Sequence, residues 1–497
     1  MKGKGLLKLM LVVLFVVQLV LAGCSSENER SDGKGANTEK DKGASGDSTE
    51  QVTLNLFSAH GQFNKGNFGY EEVQAFMKEN PDIKVEVTAA NGQHWVDTFQ
   101  ALAATGDLPD VFMPTIFTFS ELLQNNWVQP LDGLVSADFV DRFPEGTFLQ
   151  GTNMHEGKIY SFPRIVAKKG RVLVYNKDIM KDAGLDPEKP PTTWDELYEM
   201  SKQIKEKTGL AGMVIPLKDS VGYEDMAVMG TPYHPTLHSD RGFDLKEGRY
   251  AFDSPAITKP FEFVAKMNSE GLLHANSFTL GLIDAQGIFA NKQAAFMLNQ
   301  HWIVRVLELE LGQVQDFGVA QLPAPEAGMN FTQLGSSADH NAYISTSTKH
   351  PEAAAKLIEW LTSKEYYTRQ MQQDYLLAPM MDLYEDASNF PKPELKQMAD
   401  AFMATVVERP VPESRDGVTE VRKLEAAIAK PNPQWWETLQ KALLQNTDPG
   451  PELAAYTKAM NERLDQAIQE AKDQGIAVEM KDFAFPAFDG KSDFINN

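Results

Sequence analysis

The side chains able to make or break bonds are few and poorly grouped in this sequence. Its one cysteine is Cys24, so it has neither a disulfide framework nor a cysteine-based metal site. His234 and His238 have the spacing of helical metal ligands, but Pro232 and Pro235 flank His234 and favour a loop over a zinc site. No His-Glu-x-x-His, no Gly-x-Ser-x-Gly, no complete phosphate loop and no EF-hand ligand series occurs. With 69 acidic residues some pair of carboxylates always looks suited to glycoside hydrolysis, so their abundance decides nothing. The groupings that remain suit reversible polar contact. Ser58 to Asn64 is a polar, glycine-bearing loop offering His60 and Asn64, and Arg164 carries a planar fork suited to bidentate bonds with hydroxyls or a carboxylate.

The elements that would position such groups are legible in the patterning. Val52 to Phe57 is apolar at alternate positions and reads as a strand. A helix bearing Val73, Phe76 and Met77 follows, then a strand at Ile83, Val85 and Val87. A second helix, 91–105, carries Trp95, Phe99, Leu102 and Ala103 and stops at Gly106, and a short buried strand runs from Asp110 to Met113. This alternation predicts an α/β fold with right-handed crossovers. A further region begins at Val172 to Tyr175. Thr193 and Glu196 form a capping box before a helix carrying Leu197, Met200 and Ile204. Strands are expected at Met213 to Leu217 and Phe317 to Leu322. Helices are expected from Pro351, with Ala354, Leu357, Ile358 and Leu361 buried, and from Glu452 to Gln474. Trp95, Trp194 and Trp360 lie on or beside apolar stripes and are expected in the core.

The beginning of the chain has a different character. Lys2, Lys4 and Lys8 precede an apolar run from Leu9 to Val20, the plan of an export signal. Leu21-Ala22-Gly23-Cys24 resembles the lipobox of bacterial lipoproteins, which implies a signal peptide over 1–23 and an acylated Cys24 on the outer face of the cell membrane. Residues 25–51 contain no aromatic residue and no Leu, Ile, Val or Met, so the segment 24–51 is expected to be a disordered tether of about 30 Å reach. The formal charge of -22 argues against nucleic acid as a partner.

Seven short stretches together carry a resemblance to a known family. They are Thr105 to Val111, Gly157 to Pro163, Tyr175 to Asp178, Pro191 to Leu197, Phe289 to Met297, Phe317 to Ala320, and the helix from Pro351 through Trp360. In this order they resemble the extracellular solute-binding proteins that include maltose- and multiple-sugar-binding proteins. The resemblance implies a type II periplasmic-binding-protein-like fold of two α/β lobes with hinge crossovers. The lobes would comprise 52–168 with 341–395, and 171–337 with 400–497. Crossings are expected near Ala167 to Arg171, near Asn341 to Ser345, and between Asn389 and Pro410.

The implied function is capture of an oligosaccharide in the interlobe cleft by a monomer, and delivery to the permease subunits of an ABC importer, with no catalysis and no cofactor. Trp302, in Met297 to Trp302, matches the tryptophan that stacks on ligand in sugar-binding relatives, and His301 adjoins it. Thr115 and Phe117 match contact positions, although maltose-binding relatives carry a tryptophan and charged residues there. Asp339, before the return crossing, is a candidate acceptor. Of the adjacent Trp435 and Trp436, one should pack and the other, Trp436, line the cleft. A binder of peptides or another non-sugar solute, an exported glycosidase and a surface adhesin remain as alternatives.

Overall fold

The computed structural model describes residues 51–494 apart from 91, 115–116, 240, 313–315, 330 and 336–340. Its main strands are β1 (Val52–Ser58), β2 (Ile83–Ala89), β3 (Val111–Met113), β4 (Ser161–Pro163), β5 (Arg171–Asn176), β6 (Ala211–Val214), β7 (Ala294–Gln300), β8 (Phe317–Ala320), β9 (Gln333–Gly335), β10 (Asn341–Ile344) and β11 (Val406–Glu408). They form two separate sheets and a small pair. The first sheet has the order β2-β1-β3-β10-β4, with β1, β2 and β3 parallel and β10 antiparallel to both its neighbours. The second has the order β8-β5-β7-β6, with β5 antiparallel to β7 and β8. Parallel neighbours need helical crossovers, which cover the sheet faces and bury the strands. Accordingly β3 is buried throughout, and β7 is buried from Ala294 to Asn299.

One face of each sheet carries an apolar layer of its own, while the other faces share one continuous core that takes in Leu54 and Val111 of the first sheet and Val172 and Met297 of the second. Trp95 and Phe99, on the helix Gly92–Thr105, stack at 4.9 Å and pack with Phe57 and Phe112 from β1 and β3. Leu102 and Ala103 on the same helix are only half-buried, so the stripe expected there narrows toward Gly106. Trp194 is buried against the second sheet, its indole N–H donating to the Pro323 carbonyl at 3.1 Å. The helix Pro351–Leu361 buries Ala354, Leu357, Ile358 and Leu361. Trp360, on that helix, is half-buried with its N–H on Glu72 at 3.3 Å. The capping box at Thr193 is only half formed. Thr193 accepts from Glu196 N at 3.2 Å, but the Glu196 carboxylate returns to Thr192, to its N–H and its hydroxyl, both at 2.7 Å. A separate small core joins Phe243 and Leu245 to Val418, Val421, Leu464, Phe483 and Phe485.

Among the described residues, the chain links the two sheets at three places. The first passage is 167–171, between β4 and β5. The second contains β9 and the third contains β11, and these two strands pair in parallel with Gln333 opposite Val406 and Gly335 opposite Glu408. This differs from the expected return at Asn341 to Ser345: β10 starts at Asn341 already inside the first sheet, and the crossing lies upstream of it. Gln333 is buried and ties all three passages. Its side-chain oxygen accepts from Arg171 N at 2.7 Å, and its amide donates to the Arg171 carbonyl at 3.0 Å and to the Thr405 hydroxyl at 3.1 Å. Hydrophobic periodicity carries no trace of this residue, because it is a polar side chain inside a short strand.

Candidate functional site

Sequence candidates follow the ends of both β1 and β7. After β1, Ala59 N bonds the Met113 carbonyl at 2.9 Å and His60 N bonds the Ser58 hydroxyl at 3.1 Å, which turns the chain sharply. The turn Gly61–Phe63 is held by Asn67, whose side-chain amide donates to the Gly61 carbonyl at 2.7 Å. His60 is thereby half-buried and Asn64 exposed. A Cβ placed on Gly61 would lie 4.0 Å from the Glu310 carboxylate, so this loop faces the segment that follows Trp302.

On the other side β7 ends at Gln300. His301 is buried and meets the Trp302 ring edge-on at 4.6 Å, while Trp302 keeps part of its surface exposed. An aromatic ring left partly uncovered at a strand end, beside polar groups, suits the apolar C–H face of a hydroxylated solute. Trp435 is buried against Phe252 at 5.6 Å, and Trp436 is the more exposed, 6.1 Å from Tyr223.

Other candidates sit deeper. Arg164, expected near the cleft, is buried, at 5 % exposed. Its guanidinium lies 5.8 Å over the Phe63 ring, and its carbonyl accepts from Gln370 at 3.1 Å. Burial lowers its proton affinity, against the opposing pull of Tyr366, Asp374 and Tyr367. Phe117 joins the aromatic layer of the first sheet, edge-on to Trp127 at 5.5 Å. Asp110 is a structural acceptor for Asn55 N at 2.7 Å and Thr348 at 2.5 Å. His234 is held by Ser254 at 2.8 Å and Asp244 at 3.1 Å. Thr115, Asp339 and Cys24 lie outside the described residues.

Two buried ion pairs were missed by sequence reasoning. Arg171, opening β5, bonds the fully buried Asp225 at 3.0 Å; the visible signal was an acidic residue heading the apolar run Met226 to Met229. Arg305, three residues beyond Trp302, bonds Asp374 at 2.7 Å and also Glu310. No spacing rule links Arg305 to Asp374, which are 69 residues apart.

Asp374 offers a pH test. Burial pushes its carboxyl up to about 6, against the charges of Arg305 and Arg164 and with help from Glu310. Because this lies above the value in an unfolded chain, the native state takes up a proton between about pH 6 and pH 4 that the unfolded state does not. The contribution of Asp374 to stability therefore rises on acidification through that window and is level above it. Relative to Asp374→Asn, the wild type should gain about 1–3 kcal/mol between pH 7 and pH 4. Urea unfolding of both proteins at stepped pH measures this, and a constant difference would remove Asp374 as the titrating group.

Two α/β sheets joined by three strand passages, with a partly uncovered tryptophan at the end of a strand that meets them, define a two-lobed binding protein of the type II periplasmic class. The family profile of bacterial extracellular solute-binding proteins matches residues 61–368, and the chain belongs to that family. It is therefore extracytoplasmic, and among the described residues no helix is long and apolar enough to cross a membrane.

The arabinooligosaccharide-binding protein of Bacillus subtilis (strain 168) is 24% identical over 364 residues, which cover 71% of this chain and 76% of that protein. The sn-glycerol-3-phosphate-binding periplasmic protein UgpB of Escherichia coli (strain K12) is 26% identical over 206 residues, 40% of this chain and only 45% of its own length. Among solved structures, the GacH receptor of Streptomyces glaucescens superposes with a TM-score of 0.65 at 19% identity, covering 84% of this chain and 99% of that one. Maltose-bound MalE3 of T. maritima superposes with a TM-score of 0.63 at 21% identity, again over 84% and 99%.

Proposed function

We propose that this protein captures an oligosaccharide between its lobes, makes and breaks no bond in it, and presents it to the permease of an ABC-type importer. The observation that carries the reading is Trp302, left partly exposed where β7 ends, at the head of the segment whose Glu310 faces the loop of His60 and Asn64. Family membership and the likeness to the arabinooligosaccharide-binding protein and to maltose-bound MalE3 support it. In this reading Trp302 and Trp436 stack on sugar rings, His60, Asn64 and His301 bond hydroxyls, and Thr115, Phe117 and Asp339 border them. Arg164 acts from beneath by fixing Phe63. The first lobe takes in 52–168 and 341–395, the second 171–337 and 400–497. A diacylglyceryl group on Cys24 holds the body at the outer face of the membrane through the tether 24–51.

Closure on the solute is the signal a permease reads. Moving a two-state equilibrium from 1:99 to 99:1 requires about 5.5 kcal/mol of preferential binding to the closed form. Thermal unfolding of the body from Gln51 onward, with arabino- and malto-oligosaccharides, uronates, sn-glycerol 3-phosphate and peptides, tests the reading. An oligosaccharide should raise the midpoint progressively with concentration, as mass action demands. A shift with glycerol phosphate or peptides alone would overturn the sugar assignment, and product formed from a bound oligosaccharide would overturn the binding-only reading.

A further inference from the structure

The segment Asp489–Phe494 touches every passage between the lobes, and it does so through bonds that the sheets themselves do not need. The Gly490 carbonyl accepts from the Thr332 hydroxyl at 2.9 Å, beside β9 in the second passage. At β11 in the third passage, Glu408 N donates to the Asp493 carboxylate at 2.9 Å, and Phe494 N donates to the Glu408 carbonyl at 2.9 Å. The other oxygen of the same carboxylate pairs with Lys168 of the first passage at 2.6 Å. The Asp493 side chain thus joins the first and third passages, and Gly490, three residues earlier, reaches the second.

This segment is firmly seated on the second-sheet side. The Phe494 ring lies edge-on to Phe485 and Phe488 at 5.4 and 5.9 Å, and Phe485 N bonds the Leu245 carbonyl at 2.8 Å. Arg415 covers Phe485 at 3.8 Å and donates to the carbonyls of Lys481, Asp482 and Ala484. Gly490 has a φ of +68° and lies so close to Pro235 that a Cβ would stand 2.1 Å from its carbonyl oxygen, so only glycine admits the approach.

The β9–β11 pair by itself is slight: two strands of three residues each. Isolated two-stranded pairings are marginal, and hinge motion is absorbed by a few backbone dihedrals at such places. We propose that Asp489–Phe494 is a brace across the hinge, restricting the spread of lobe spacings in the solute-free protein and thereby setting the solute concentration needed for closure. The inference rests on hinge bending between the lobes and deepens the binding reading, but its first readout needs no solute. The Lys168–Asp493 pair is partly exposed, with side chains 24% and 45% accessible, so its charge attraction alone is weak. The brace acts through the joint geometry of its bonds.

The test uses the body with spin labels on cysteines at Lys84 in the first sheet and Lys458 on the helix Gly450–Asp473, and pulsed-EPR distances without solute. Asp493→Ala, Lys168→Met and a variant lacking 489–497 should each broaden the distance distribution, with Asp493→Ala and Lys168→Met retaining the native circular dichroism spectrum. Solute affinity, where the screen has supplied a ligand, should change in the same variants, because the apparent dissociation constant scales inversely with the competent fraction. An unchanged distribution in the two point variants would overturn the brace, whether or not any sugar binds. A broadened distribution with no sugar bound would uphold the brace and fault only the ligand assignment.

Discussion

Alanine at Trp302 is expected to weaken solute binding by about 30- to 1,000-fold, which corresponds to about 2–4 kcal/mol for a central aromatic anchor. The ligand-free protein should keep its melting midpoint nearly unchanged. The reason is position. Trp302 follows β7 and precedes the short helix Ile303–Arg305, and part of its ring is left uncovered. Its truncation thus removes contact area for a solute while the buried Ile303, Val304 and Leu307 keep that helix in place. Trp194 supplies the contrast: buried, with its N–H on the Pro323 carbonyl, it should cost about 3–5 kcal/mol of stability when replaced by alanine. Titration calorimetry with the ligand from the screen, paired with thermal unfolding, separates the two. Undiminished affinity in Trp302→Ala would take this residue out of the site.

The second large effect is expected beside the small core of Phe243 and Phe483. Glu425 is 3% exposed and accepts from Arg463 at 2.8 Å, from Arg422 at 2.7 Å and from the Tyr250 hydroxyl at 2.7 Å. Arg463 is itself buried and also donates to the Ile428 carbonyl at 2.9 Å, and Arg422 lies over the rings of Phe243 and Phe483. Glu425→Ala would leave two guanidinium groups short of their shared acceptor in a poorly solvated place, at a cost of about 3–5 kcal/mol. Glu425→Gln keeps the shape and some of the bonds, and should lose less. Urea unfolding at neutral pH reads both variants. A loss below about 1 kcal/mol for the alanine variant would mean that water reaches the arginines and that the network is not a closed one.

Much of the fold was visible in the residues because apolar spacing is a local property. Alternation at Val52 to Phe57 and at Ile83 to Val87 reflects strands with one side toward the core, and the helix from Pro351 repeats its buried face every three or four residues. The solute-contacting face was less accessible. His60 and Asn64 were proposed from loop character and Trp302 from its motif, while Arg164, expected near the cleft, turns out buried with its guanidinium over the Phe63 ring. A charged residue next to a strand end looks the same in sequence whether it points outward or is buried. Only the elements packed around it, here Tyr366, Tyr367 and Asp374, decide.

Residue order alone was enough for the alternation of strands and helices and for the family, since both follow from patterns that local stretches of chain carry. Tertiary structure alone decided which distant groups meet: Gln333 joining three passages, Arg305 reaching Asp374, and Asp493 reaching Lys168 across 325 residues. Such pairings depend on where the chain returns in space. Periodicity records only which side of a segment is buried, and is silent about what comes to lie against it.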